Sequence, residues 1–248
     1  MNIISTENLK LLPKTKNLQN LCKSISVLEA IICQDWEYRY YSYQKKWSET
    51  EEFCEMRNGQ GDQMLILFSE KGTCINGFAH ESKMNGWKKI PINEKKSFFK
   101  KIIEKKSEPK TKTIQDIWNG ILDDLPNDFK DFIFGEPVKS IGTTFCIWNI
   151  KPNNDWEIGK IEYPKDNYKD GSKDLLKLLD GNPITYKNWA EEYYEEEIEN
   201  GKLKIELVEK IYNGIKITKE IVLEINPNLE DFNQLKLDLT EIGYEYEL

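Results

Sequence analysis

EFCEMRNGQGDQMLILFSEKGTCINGFA, residues 52–79, is the stretch that sets the fold. Residues 52–57 alternate loosely between apolar and polar, residues 63–68 are nearly all apolar, and residues 73–79 form a third short run. A half-buried strand shows a period of two, whereas a strand covered on both faces shows an unbroken apolar run. Asn58-Gly-Gln-Gly61 and Glu70-Lys-Gly72 separate the runs, and asparagine and glycine supply the positive φ that tight hairpins demand. An antiparallel meander is expected, with residues 63–68 as its central strand.

Upstream, residues 36–43 are dense in aromatics and read as a further strand, with Glu37, Arg39, Tyr41 and Tyr43 on one face and Trp36, Tyr38 and Tyr40 on the other. Before it, Leu18, Leu21, Cys22, Ile25, Leu28, Ile31 and Ile32 recur every three or four residues, which predicts a helix over 15–34 laid against a core. Downstream, residues 141–150 read as a later strand of the same sheet. Between the strands, three apolar patterns predict helices that cover one sheet face: Phe98, Phe99, Ile102 and Ile103; Ile114, Ile117, Trp118, Ile121 and Leu122; and Phe129, Phe132 and Ile133. Residues 151–172 read as a long connection. Pro183 suits the first position of a helix whose face carries Tyr186, Trp189, Ala190, Tyr193 and Tyr194. Helices are also expected over 203–212, from Thr218 as cap, and from Pro227 to about Ile242; residues 215–225 also fit a strand's period of two. Strands early and helices late imply an α+β fold, expected as a single domain over 1–248 with a mainly helical part, 173–248, packed on the sheet.

Charged residues make up 31% of the 248, and the net charge is −8. That balance opposes a non-specific hold on nucleic acid, which depends on lysine and arginine displacing counterions, and it favours a basic partner. No run approaches the length of a membrane span, and the first residues lack a charged leader followed by an apolar core, so a cytoplasmic location is expected. Cys22, Cys33, Cys54, Cys74 and Cys146 are widely spaced and there is one histidine, so buried thiols are expected, with no metal and no cofactor. Nothing in the sequence sets an oligomeric state.

Of 35 basic residues only Arg39 and Arg57 are arginine. A guanidinium is a planar fork that pairs carboxylates and stacks on rings, tasks that ammonium performs poorly. Both arginines lie with the single histidine in residues 36–82, which makes Arg39, Tyr41, Trp47, Arg57, Asp62, His80 and Glu81 the candidate ligand- or partner-binding residues. Arg57 with the glycine turn could hold an anion on backbone N–H groups, and His80 with Glu81 could form an oriented base. No catalytic residue is assigned: Cys54, Ser69 and Ser82 lack a recognised nucleophile setting, and the 166–171 loop puts Tyr168 where calcium needs an oxygen. Glu191, Glu192, Glu195, Glu196 and Glu199 form an acidic run whose like-charge repulsion a helix tolerates at a cost, and a docking face is expected there.

Several segments carry a resemblance: Trp36-Glu-Tyr-Arg-Tyr-Tyr-Ser42, Met56-Arg-Asn-Gly-Gln-Gly-Asp62, Gly77-Phe-Ala-His-Glu-Ser82, Gly120-Ile-Leu-Asp123, Thr143-Thr-Phe-Cys-Ile-Trp148, Leu178-Leu-Asp-Gly181 and Ile242-Gly-Tyr244. Together they resemble a group of bacterial proteins to which no function is assigned, which implies one continuous domain and brings no catalytic assignments. Leu125-Pro-Asn-Asp-Phe-Lys-Asp-Phe132 resembles the Leu-Pro and following helix of the SMI1/KNR4-like immunity superfamily, whose bacterial members bind and neutralise toxins. The leading expectation is therefore a protein-binding module of the toxin-immunity type that covers a basic toxin domain. The alternative is a small-ligand binder or hydrolase-like enzyme using the Arg39, Arg57 and His80 region.

Overall fold

The structure is a computed structural model that describes residues 3–91, 111–151, 155–198 and 202–248. The expected helix 98–103 lies outside these residues. The first helix, α1 (Thr15–Ile32), buries nearly every side chain from Ser24 onward, because its apolar stripe is packed from several sides at once. The strands β1 (Tyr41–Gln44), β2 (Glu52–Arg57), β3 (Gln63–Phe68) and β4 (Gly72–Phe78) follow as the meander. Next come the hairpin β5 (Trp87–Pro91) and β6 (Thr111–Gln115), the short helices α2 (Lys130–Phe134) and α3 (Val138–Ile141), and the strands β7 (Phe145–Ile150) and β8 (Glu157–Ile158). The main sheet has the order β1-β2-β3-β4-β7-β8 with every neighbour antiparallel, and the fold is α+β.

Alternation along these strands divides the interior in two. Cys54, Met56, Met64, Ile66, Ile75 and Ile147 face the layer built on α1, while Phe53, Leu65, Cys74, Cys146 and Trp148 face Ile121, Leu125, Phe129, Ile133 and Val138. The chain closes with α4 (Ser172–Leu175), α5 (Pro183–Tyr193), α6 (Ile205–Tyr212), β9 (Ile217–Thr218), α7 (Lys219–Ile225), α8 (Phe232–Ile242) and β10 (Tyr246–Glu247). Leu207, Val208, Ile211, Val222, Leu235 and Leu239 of these helices join the α1 core.

The structure departs from the sequence reading at definite places. Residues 36–43 are not one strand: Trp36–Tyr38 is a 3-10 turn, started by the Asp35 carboxylate accepting from Glu37 N at 3.1 Å, and β1 begins only at Tyr41. A local side-chain acceptor offers the backbone an alternative to the ladder. Residues 114–122 are not a helix, because Ile114 and Gln115 belong to β6, whose partner β5 lies more than twenty residues upstream, and Gly120 (φ +86°) sits in the turns beyond. The strand expected over 141–150 starts at Phe145, since α3 runs up to Gly142 (φ +105°). The connection 151–172 contains β8, paired with β7. Residues 215–225 divide between the two readings: β9 pairs in parallel with β10, then Thr218 caps α7. The last helix starts at Phe232, where Asp231 accepts from Gln234 N at 2.9 Å.

Candidate functional site

The two arginines do different work. Arg39 is 5% exposed; its Nε donates to Cys33 O at 2.8 Å, and its Nη2 donates to Gln34 O at 3.1 Å and Asp238 Oδ2 at 2.6 Å. It thereby ties the carbonyls just past α1 to α8, a three-acceptor task suited to a planar fork. Tyr41 is fully buried in the α1 core, and Trp47 stacks on Phe53 with centroids 4.3 Å apart. These three residues support the fold.

Arg57 lies at the surface end of β2, with its guanidinium carbon 3.8 Å from the Trp36 ring centroid and its Nη2 donating to Trp36 O at 2.8 Å. Its backbone N donates to Tyr40 O at 2.9 Å, which fastens the 3-10 turn to the strand. The Tyr40 ring in turn meets α5: Trp189 is 4.6 Å and Tyr193 5.1 Å away, and Trp189 stacks on Tyr193 at 4.9 Å. Arg57 is within electrostatic reach of the Tyr193 hydroxyl. Trp36, Tyr38 and Tyr193 remain 48%, 66% and 39% exposed. Segments far apart in the chain thus bring two ring groups to this region: Trp36 under the Arg57 guanidinium, and Tyr40 with Trp189 and Tyr193, linked to Arg57 through the Tyr40 carbonyl.

The acidic run borders this region but is not a helical stripe. α5 ends at Tyr193, and Glu195 and Glu196 follow in turns, exposed, as is Glu192 on the last turn of the helix. Glu191 points inward instead, pairing with Lys187 Nζ at 2.7 Å and accepting from Leu203 N at 3.1 Å, so it is a structural residue. Glu199 lies outside the described residues. Glu197 is close enough to Tyr193 to act on its hydroxyl.

Asp62 and His80 do come together. One Asp62 oxygen accepts from His80 N and contacts His80 Nδ1, both at 2.8 Å, while Asn58 Nδ2 donates to the other at 2.9 Å. His80 Nε2 is 3.9 Å from an exposed Glu81 carboxylate. The turn is no anion cradle, because Asn58 Oδ1 already accepts from Gln60 N and Asp62 N at 2.8 and 3.1 Å. Asp62 orients the imidazole, but the nucleophile candidates are elsewhere engaged: Ser82 Oγ donates to Lys169 O at 2.5 Å, Ser69 closes the β3–β4 turn, and burial pushes the Cys54 thiol well up. With Arg39 held at α8, the five groups Arg39, Arg57, Asp62, His80 and Glu81 do not converge.

The sequence reading missed Glu29. It sits within the most buried part of α1, and its carboxyl is fully buried behind the ring groups. Oε1 accepts from Tyr186 OH at 2.9 Å; Oε2 accepts from Tyr40 N at 2.8 Å, Tyr41 N at 3.4 Å and Tyr194 OH. Burial pushes its pKa up to about 7 against the opposing pull of these hydrogen bonds. The signal was a carboxylate flanked by Leu28, Ala30, Ile31 and Ile32 in an otherwise apolar run. Such a carboxyl must find buried donors.

An apolar cleft of about 420 Å³ lies elsewhere, lined by Trp87, Ile114, Phe134 and Val138 among others. Among the described residues, no group of three or more histidine, cysteine, aspartate and glutamate side chains is placed to hold a metal ion, and no helix is long and apolar enough to cross a membrane. Comparison of the chain with protein-family models, curated proteins and solved structures finds no match.

Proposed function

We propose that this chain is a protein-binding module of the toxin-immunity type, which docks a basic protein domain on the face formed by Trp36, Tyr40, Arg57, Trp189 and Tyr193. The observation that carries this reading is the pair of ring groups beside Arg57, exposed Trp36 under its guanidinium and exposed Tyr193 packed with half-buried Trp189 and Tyr40. Tryptophan, tyrosine and arginine dominate the energetics of protein interfaces, because they bury large area while losing little conformational freedom. Glu192, Glu195 and Glu196 at the margin and a net charge of −8 favour encounter with a cationic surface. The Asp62–His80 pair gives a small-ligand site its main support, and Arg39, tied into the core, takes no part in it.

Affinity capture with the whole chain from its native host tests the proposal. The recovered partner is expected to be a basic protein whose Kd rises roughly tenfold or more for Trp36→Ala and Tyr193→Ala, with both variants still folded at the temperature of the binding assay. Joint Glu192→Gln, Glu195→Gln and Glu196→Gln exchange is expected to slow association at low salt and leave dissociation nearly unaltered. Failure to recover a basic protein, or equal affinity across these variants, would contradict the proposal.

A further inference from the structure

We infer that Glu29 is a proton-linked latch for the docking face: its ionised carboxylate holds α5 against the 3-10 turn through Tyr186, Tyr194 and the Tyr40 backbone, and protonation loosens that hold. The inference rests on the docking reading for its consequence, and on the buried cluster for its chemistry. Every group that touches the carboxyl donates to it, an arrangement that matches the ionised form. Hydrogen bonds to an ionised acceptor are roughly twice as strong as neutral ones.

Protonation adds a hydrogen where only donors stand. Oε2 receives three donors and Oε1 one, so the proton enters beside Tyr186, whose hydroxyl must turn from donor to acceptor. The bonds on Oε2, including the one from Tyr194, lose their charge assistance. Tyr186 and Tyr194 flank Trp189 at 5.6 and 5.9 Å, which is how a change at the buried carboxyl reaches the exposed rings.

The groups facing Glu29 from each packed element are Tyr40 and Tyr41 at the start of β1, Tyr186, Tyr193 and Tyr194 at α5, Tyr212 of α6, and Cys33 just past α1. Burial drives each of these upward, away from neutrality, whereas it brings Glu29 to about 7. Within this cluster the carboxyl is the group that changes charge there.

The test is carbon NMR of the Glu29 carboxyl together with the Trp189 indole resonance, followed across neutral pH in the free full-length chain. Both are expected to move with a shared midpoint near 7. The Trp189 step is expected to vanish in Glu29→Gln and persist in His80→Gln, and Tyr186→Phe, which removes a donor to the carboxylate, is expected to raise the midpoint. A carboxyl midpoint near the ordinary 4.5, or an indole resonance indifferent to the carboxyl, overturns the latch, and the wild-type chain alone suffices to show either. Equal partner affinity on both sides of an observed step overturns the link to docking. A chain that titrates as described and recruits no partner overturns the docking reading and leaves the latch standing.

Discussion

A carboxyl group inside a protein faces two opposed demands, and Glu29 shows both. Taking a charge out of water is costly, while four donors aimed at it make the charged form the better acceptor. The cost prevails, since the folded-state value of about 7 stands above the ordinary 4.5. The folded chain therefore binds this proton more tightly than the unfolded chain does. The resulting stability is fully present below about 4.5 and is lost as pH rises through about 7. Denaturant titrations of wild type and Glu29→Gln are expected to show the wild type losing up to roughly 3 kcal/mol relative to the variant between mildly acidic and mildly basic pH. Parallel pH profiles for the two proteins would contradict this. The ionised state thus trades global stability for tighter local bonds to α5. Arg39 is the complementary case at the same scale: a buried guanidinium whose donors are taken up by Asp238 and two carbonyls.

At the scale of elements, close approach decides which substitutions the sheet accepts. Gly77 of β4 is opposite Phe145 of β7, and the Phe145 ring occupies the space that a Cβ at position 77 would need. Gly77→Ala is expected to destabilise the fold by roughly 1–3 kcal/mol in urea unfolding, through overpacking rather than lost contacts. A change below about 0.5 kcal/mol would show that the strands can separate there at little cost. Elements with strong local signals were legible in the sequence: the α1 stripe, the bounds of β2 and β3, Pro183 opening α5, and Thr218 capping α7. Those that depend on distant partners were not. The hairpin β5–β6 joins strands separated by 19 residues outside the described regions, so the periodicity around Ile114 misled toward a helix. At 36–40, the Asp35 carboxylate accepting from Glu37 N, with the backbone bonds from Tyr38 N to Asp35 O and Arg39 N to Trp36 O, makes a turn where the aromatic pattern pointed to a strand. The candidate site was legible in part: Arg57, Asp62 and His80 stand where contacts form, but the joining of Tyr40 to Trp189 and Tyr193 follows from topology that no local pattern encodes.

For the whole molecule, the sheet supplies one edge of the proposed docking face and α5 the other, with α1 between them as the buried support. A basic partner seated there would cover Trp36, Tyr40, Arg57 and Tyr193, and with them the amides of the 3-10 turn and of the end of α5. The apolar cleft lined by Trp87 and Phe134 is the competing surface. Amide hydrogen exchange of the chain with and without its captured basic partner distinguishes the two. New protection is expected to concentrate in residues 36–41 and 183–198. Protection confined to residues 87–91 and 133–143, with residues 36–41 exchanging as in the free protein, would contradict the docking face.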